Sequence, residues 1–388
     1  MEETEKLLDR LGKDGFDYAI LTSAPNVIYA SGFEVPYWEG FMGDMNAGLP
    51  MTAAVLDVRG RTLTMAASEF YRKKLRRAGL EASTVFYPTF SWEEPVLPEE
   101  SFSAAIRTIL KNLSAAPGST IGLEQNSTPI RLGTLIQRAV PGAVLKDVTG
   151  SAEACRYLKT KREITLLRNA ARCADAAQDR LLEISRTPGN YTELELWFEV
   201  QKAASAAAGC LVPFVGELVT GPLTGASDYP LGPAARRVSP GDMGIMDISP
   251  RVNGYWGDCS NAVVFWAEPN AEQLKYFRAV RAAYEAGRDT IRPGATFGDV
   301  TRAMERAYRE HGFSLCSYLG HQIGVRVNEK ARFTPWERAA ILENMVLCIE
   351  PQLYTGDAGK TGVRLERMLL VQKDGAEELN LFSWGMES

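Results

Sequence analysis

The chain has 388 residues, of which 45% are hydrophobic and 23% charged, and a net charge of −5, the composition of an ordinary globular enzyme. At roughly 100–200 residues per domain, the length predicts about two domains. There is no basic run, which excludes nucleic acid as a partner class, and no stretch of about 18 apolar residues, so no membrane span is expected.

The acidic, amphipathic start MEETEKLLDRLGKDGFDYAIL lacks the basic opening and apolar core of a signal peptide. Residues 3–14 read as a helix, 17–22 as a strand, and 52–58 and 62–68 as strands joined around Gly60. Residues 101–113 read as a helix and 119–124 as a strand. This alternation predicts a three-layer α/β domain over residues 1–150. Inside it runs EVPYWEGFMGDMNAGLP, with Tyr37, Trp38 and Phe41, which reads either as a hydrophobic interface or as a wall that gates a substrate pocket. The boundary falls near Thr149-Gly150-Ser151, and a second domain takes residues 151–388.

That domain opens with a helix to about Ser185, broken by Pro188-Gly189. Thr192 and Glu195 form a capping box for the next helix. Residues 243–249 and 255–266 are rich in apolar, aromatic and β-branched side chains and read as strands. Asn253-Gly254 between them is a two-residue hairpin signal. If the pair forms the turn, Asp247 faces position 260 and position 249 faces Asp258. The two aspartates then share a face as diagonal neighbours about 7–8 Å apart, where they repel unless cations sit between them. Residues 271–287 and 297–311 read as helices. Residues 346–354 (VLCIEPQLY) and 362–371 (GVRLERMLLV) read as strands, and a hairpin centred on Ala358 is consistent with Glu350 opposite Glu366.

The six cysteines are scattered without a CxxC pair, as in a reducing cytoplasm; cytoplasmic location is the expectation. Alternation turns Cys259 away from Asp258 and puts Cys348 on the face of Glu350. The chain has only two histidines, His311 and His321. Acids within apolar strands are costly to bury unless a cation compensates.

Asp247, Asp258, His321 in GHQIG, Glu350 in IEP and Glu366 in GVRLE, in that order and spacing, resemble the pita-bread metallohydrolases. RYLKTKREITLLRNAARCADAA is similar to the helix that opens their catalytic domain. TSAPNVIYASGF is similar to the N-terminal domain of the Xaa-Pro aminopeptidase, prolidase and creatinase branch. The resemblance implies an α/β N-terminal domain followed by an α+β pita-bread catalytic domain. It also implies a homodimer acting on a dipeptide or other small molecule, and a centre of two divalent ions. Four carboxylates and an imidazole suit Mn, Fe, Co or Zn, and two such ions bridge and activate a water. By the resemblance, Asp258 and Glu366 bridge, Asp247 completes one ion, His321 and Glu350 complete the other, and Glu350 is the general base.

Two positions depart from the pattern. Leu231 and Asn328 stand where the family usually has histidines that bind substrate and move protons, a function typically worth ~10²–10⁴ in rate. Asn328 and Tyr229 are the replacement donors expected here. Arg364 matches a family arginine that either steadies a ligand carboxylate, binds substrate or forms a structural salt bridge. Three functions stay open: a dinuclear hydrolase cleaving a C–N bond, a non-peptidase relative such as an amidinohydrolase or lyase, and a metal-binding non-catalytic homologue.

Overall fold

A computed structural model describes residues 1–35, 52–226, 229–314, 318–356 and 361–387. The aromatic loop around Tyr37–Phe41, the hairpin tip at Ala358 and Cys316 lie outside the described residues. The chain divides into two compact units, Met1–Arg156 and Tyr157–Ser388.

In the first unit six strands form one sheet: β1 Tyr18–Leu21, β2 Thr52–Asp57, β3 Thr62–Ser68, β4 Thr84–Tyr87, β5 Thr120–Leu123 and β6 Val144–Asp147. Their order is β4-β3-β2-β1-β5-β6. The pairs at β1–β2 and β2–β3 are antiparallel, and those at β3–β4, β1–β5 and β5–β6 are parallel. Side chains alternate along a strand, so Tyr18 and Ile20 join Val55, Phe102, Ile106 and Ile136 in one core. Helices Pro98–Asn112 and Ile130–Ala139 carry that core's helical residues. Helix Glu2–Lys13 buries Leu7, Leu8 and Leu11, and helix Ala24–Ser31 buries Val27, Ile28 and Tyr29. The α/β expectation holds. The helix expected at 101–113 starts earlier, at Pro98, because proline's fixed φ and missing N–H suit the first helical turn.

The second unit is α+β. Its main helices are Lys161–Arg186, Glu193–Ala208, Ala271–Thr290 and Phe297–Glu310. Each begins with a reciprocal capping box, at Thr160/Glu163, Thr192/Glu195, Asn270/Gln273 and Thr296/Asp299. The strands are β7 Phe214–Thr220, β8 Met243–Val252, β9 Tyr255–Trp256, β10 Cys259–Val264, β11 Gly320–Gln322, β12 Glu329–Arg332, β13 Val346–Ile349, β14 Gln352–Tyr354, β15 Gly362–Arg364, β16 Arg367–Gln372 and β17 Gly375–Glu378. One sheet runs β10-β8-β7, with β9 on β8. Another runs β12-β11-β13-β16-β17, and β14 pairs with β15. The helices and the apolar faces of these strands share one core that includes Leu181, Leu196, Met246, Ile248, Tyr284, Tyr308 and Trp384.

The Asn253-Gly254 turn forms as expected, with φ of 51° and 85°. Val252 faces Tyr255, and Asp247 faces Ser260. The single strand expected over 255–266 is broken between Trp256 and Cys259, and Asp258 occupies the gap. In the other hairpin Gln352 faces Arg364 and Ile349 faces Arg367, a register in which Glu350 opposes Glu366. The two larger sheets meet where Ser260 and Glu366 exchange backbone hydrogen bonds of 3.3 and 3.0 Å.

Candidate metal centre

That meeting line gathers the acids. Asp247 lies on β8, Asp258 just before β10, His321 on β11, Glu350 just after β13 and Glu366 between β15 and β16. All five are buried. They form two groups of mutually close donors: Asp258, His321, Cys348 and Glu366, and Asp247, Glu350 and Glu366, with ligand atoms within 4.8 Å of one another. Glu366 belongs to both. By ligand-atom distance Glu350 groups with Asp247, and His321 with Asp258.

Local hydrogen bonds orient the donors. Ser249 Oγ donates to Asp258 Oδ1 at 3.0 Å, and Ser260 Oγ donates to Glu366 Oε2 at 3.1 Å. His321 Nδ1 lies 2.8 Å from the Gln322 carbonyl. A carbonyl only accepts, so Nδ1 carries the hydrogen and Nε2 is the ring nitrogen that faces the cluster, 3.4 Å from Asp258 Oδ2. The Tyr318 ring stacks on the imidazole at 6.0 Å between centroids.

Burial pushes the Asp247 carboxyl up to about 6 against the pull of Arg364, with Asp258 and Glu217 adding to the rise. Burial, followed by neighbouring carboxylates, holds Glu350 and Glu366 well above the usual carboxylate range. Glu366 Oε1 is buried without a hydrogen-bond partner. An orphan carboxylate oxygen shared by two donor groups, beside an imidazole nitrogen, is the environment a divalent cation completes. The residues fit the ions that the sequence implies.

Arg364 is buried and fully engaged. Its Nη1 donates to Asp247 Oδ2 at 2.7 Å and to Glu217 Oε1 at 2.9 Å. Its Nε donates to Gln352 Oε1 at 3.2 Å and Tyr354 Oη at 3.1 Å, and its Nη2 donates to Tyr354 Oη at 2.5 Å. These contacts fit both an arginine that steadies a carboxylate of the cluster and a structural salt bridge. Asn328 is exposed and accepts from Tyr318 Oη at 2.5 Å, which ties it to the ring over His321. Tyr229 is half-exposed, with its ring over the Arg364 guanidinium at 5.3 Å. Leu231 contributes a backbone N–H, donated to Glu217 Oε2 at 3.0 Å.

Cys259 turns away from the cluster toward Gln178 Nε2, at 3.4 Å, and Cys348 lies within it. Sequence reasoning missed Glu217, Tyr318 and Tyr354. Glu217 carried the same signal as the other acids, a carboxylate inside an apolar strand, in FVGELVT.

A family model described as metallopeptidase family M24 matches residues 165–373, and one described as the creatinase/prolidase N-terminal domain matches residues 4–158. A Xaa-Pro dipeptidase of Pyrococcus horikoshii is 22% identical, covering 97% of this chain and 96% of the relative. A creatinase of a Bacillus species is 23% identical, covering 98% of this chain and 90% of the relative. The crystal structure of the prolidase from Pyrococcus horikoshii OT3 superposes over 100% of both chains with a TM-score of 0.78 at 20% identity, which bears out the pita-bread fold. A match to more than half the chain, with the acids and histidine in the family's order, places this protein in metallopeptidase family M24, behind a creatinase/prolidase-type N-terminal domain.

Proposed function

We propose that this chain is a dinuclear metal-dependent hydrolase that cleaves a C–N bond in a small amide or a Xaa-Pro-like dipeptide. The observation that carries the reading is the pair of donor groups sharing Glu366, whose buried Oε1 has no hydrogen-bond partner. Asp247, Asp258, His321, Glu350 and Glu366 would hold two ions of Mn, Fe, Co or Zn. Bound ions would supply Lewis acidity and an activated water.

The chain's own groups do the rest. Glu350 is the proposed base: burial and neighbouring acids raise its affinity for a proton, so it can take one from the nucleophile and pass it to the leaving nitrogen. Arg364 would steady Asp247 through the hydrogen bond from its Nη1. Tyr318 and Asn328, hydrogen-bonded together beside His321, and Tyr229 at the rim are the donors proposed to orient a substrate carbonyl.

A second reading has its own observation. Leu231 and Asn328 cannot transfer protons at neutral pH, and Leu231 offers only a backbone N–H, already given to Glu217. That favours a specialised non-peptidase substrate, as for an amidinohydrolase or a lyase. A creatinase among the relatives agrees with it.

The test is metal stoichiometry by mass spectrometry on tag-free protein, followed by turnover of Xaa-Pro dipeptides and of guanidino and amidino compounds. Two ions per chain with dipeptide hydrolysis supports the first reading. Two ions with turnover only of the other compounds selects the second. Two ions with no turnover leaves a metal-binding non-catalytic homologue. Glu350→Gln is expected to stay folded and lose at least ~10²-fold in kcat; a fully active variant removes Glu350 as the base.

A further inference from the structure

Glu217 is a fifth carboxylate at the centre, beyond the four expected from sequence. It lies on β7 directly opposite Asp247 of β8, almost wholly buried. Like charges directly opposed across two strands are destabilising, and burial magnifies the repulsion. The structure resolves the conflict with one group. Arg364 Nη1 has two N–H bonds, one donated to Asp247 and the other to Glu217. The remaining Glu217 oxygen accepts the Leu231 N–H.

The backbone shows why Glu217 points inward. Gly216 opposes Ile248 and Glu217 opposes Asp247. In the other half of the unit, Gly320 opposes Ile349 and His321 opposes Cys348. The two glycines match in conformation, with φ of 130° and 123°, and in contact. A Cβ on Gly216 would lie 2.0 Å from the Asp247 carbonyl oxygen, and one on Gly320 would lie 2.0 Å from that of Cys348. Each glycine lets its strand approach its neighbour closely, and the residue after it faces the cluster. Glu217 is therefore the counterpart of His321, but the cation it meets is Arg364.

We propose that Glu217 is a positioning residue of the metal centre: by sharing Arg364 with Asp247 it fixes the guanidinium and keeps Asp247 available to a divalent ion. Without Glu217, both N–H bonds of Nη1 are free to turn to the cluster, where Glu350 Oε1 already lies 3.8 Å from Nε. Arg364 then competes with the ion for Asp247. This inference rests on the proposed dinuclear reading.

The test is calorimetric titration of tag-free, metal-stripped protein with Mn²⁺ alone. Glu217→Gln has a single acceptor oxygen for two donors and is expected to weaken the ion held by Asp247 at least tenfold. Glu217→Asp keeps the charge, withdraws the carboxylate by one methylene and is expected to behave like Glu217→Gln. Arg364→Met added to Glu217→Gln is expected to recover most of the affinity. Wild-type affinity in Glu217→Gln overturns the proposal, including when its melting temperature falls, since that marks a purely structural role. Wild-type affinity in Glu217→Asp alone assigns the effect to charge and also overturns it. If the parent protein binds neither Mn²⁺ nor, in parallel titrations, Fe²⁺, Co²⁺ or Zn²⁺, the dinuclear reading fails together with the inference. If the parent binds two ions and the variants match it, only the inference fails.

Discussion

Asp247 is where burial, repulsion and pairing collide most directly, and this sets a pH dependence. Burial lifts its carboxyl from an ordinary value near 3.8 to about 6. A carboxyl whose folded pKa is raised binds its proton more tightly in the folded state, so acid stabilises its contribution and rising pH removes it. In the metal-stripped protein, the charge on Asp247 should therefore cost stability increasingly as the pH rises from about 4 to about 6, and in full above that. Asp247→Asn, which mimics the protonated form, should resist urea better than the parent protein at pH 8 in chelator. The gap should shrink as the pH falls through about 6. Denaturation curves at pH 8 and pH 5 check this, and a gap that widens toward acid contradicts it.

At the scale of elements, the four capping boxes fix where the helices of the second unit begin. At the second, Thr192 Oγ1 accepts the Glu195 N–H at 3.2 Å, and Glu195 accepts the Thr192 N–H at 2.7 Å. Helix Glu193–Ala208 in turn supplies Glu193, whose Oε1 accepts the Thr220 N–H at 2.7 Å at the end of β7. Thr192→Ala should cost about 1 kcal/mol, read as a lower urea midpoint with an unchanged slope. Because the cap lies apart from the acids, Mn²⁺ affinity should not change. A tenfold loss of affinity would show that the cap also sets the position of β7.

For the whole molecule, the proposed metal centre predicts a stability that depends on cations. An ion that binds only the folded state at 100 times its Kd stabilises by about 2.7 kcal/mol, and it also relieves the carboxylate repulsion. Chelation should lower the melting temperature by several degrees, and Mn²⁺ should restore it. A melting curve indifferent to both would remove metal from the account of stability. Among the described residues no helix is long and apolar enough to cross a membrane. The homodimer that the resemblance implies is a proposal, and light scattering at twice the mass of one chain is its expected result.

Much of the architecture was legible because it is local. Asn253-Gly254 set the β8–β9 turn and through it the Asp247–Ser260 register. Thr192 followed three residues later by Glu195 marked the start of helix Glu193–Ala208. Strand alternation turned Cys259 away from the acids. The five expected site residues were legible by their order along the chain, and the fold gathers all five. The break before Asp258 and the place of Glu217 were not legible. They depend on partners far apart in sequence: Ser260 with Glu366, Arg364 with Glu217, and Tyr318 with His321 and Asn328. Turn chemistry, capping and periodicity act over a few residues and so determined the elements and the identity of the acids. Only the tertiary structure decided which acid meets which cation, because a buried charge takes its partner from whatever packing brings within about 3 Å.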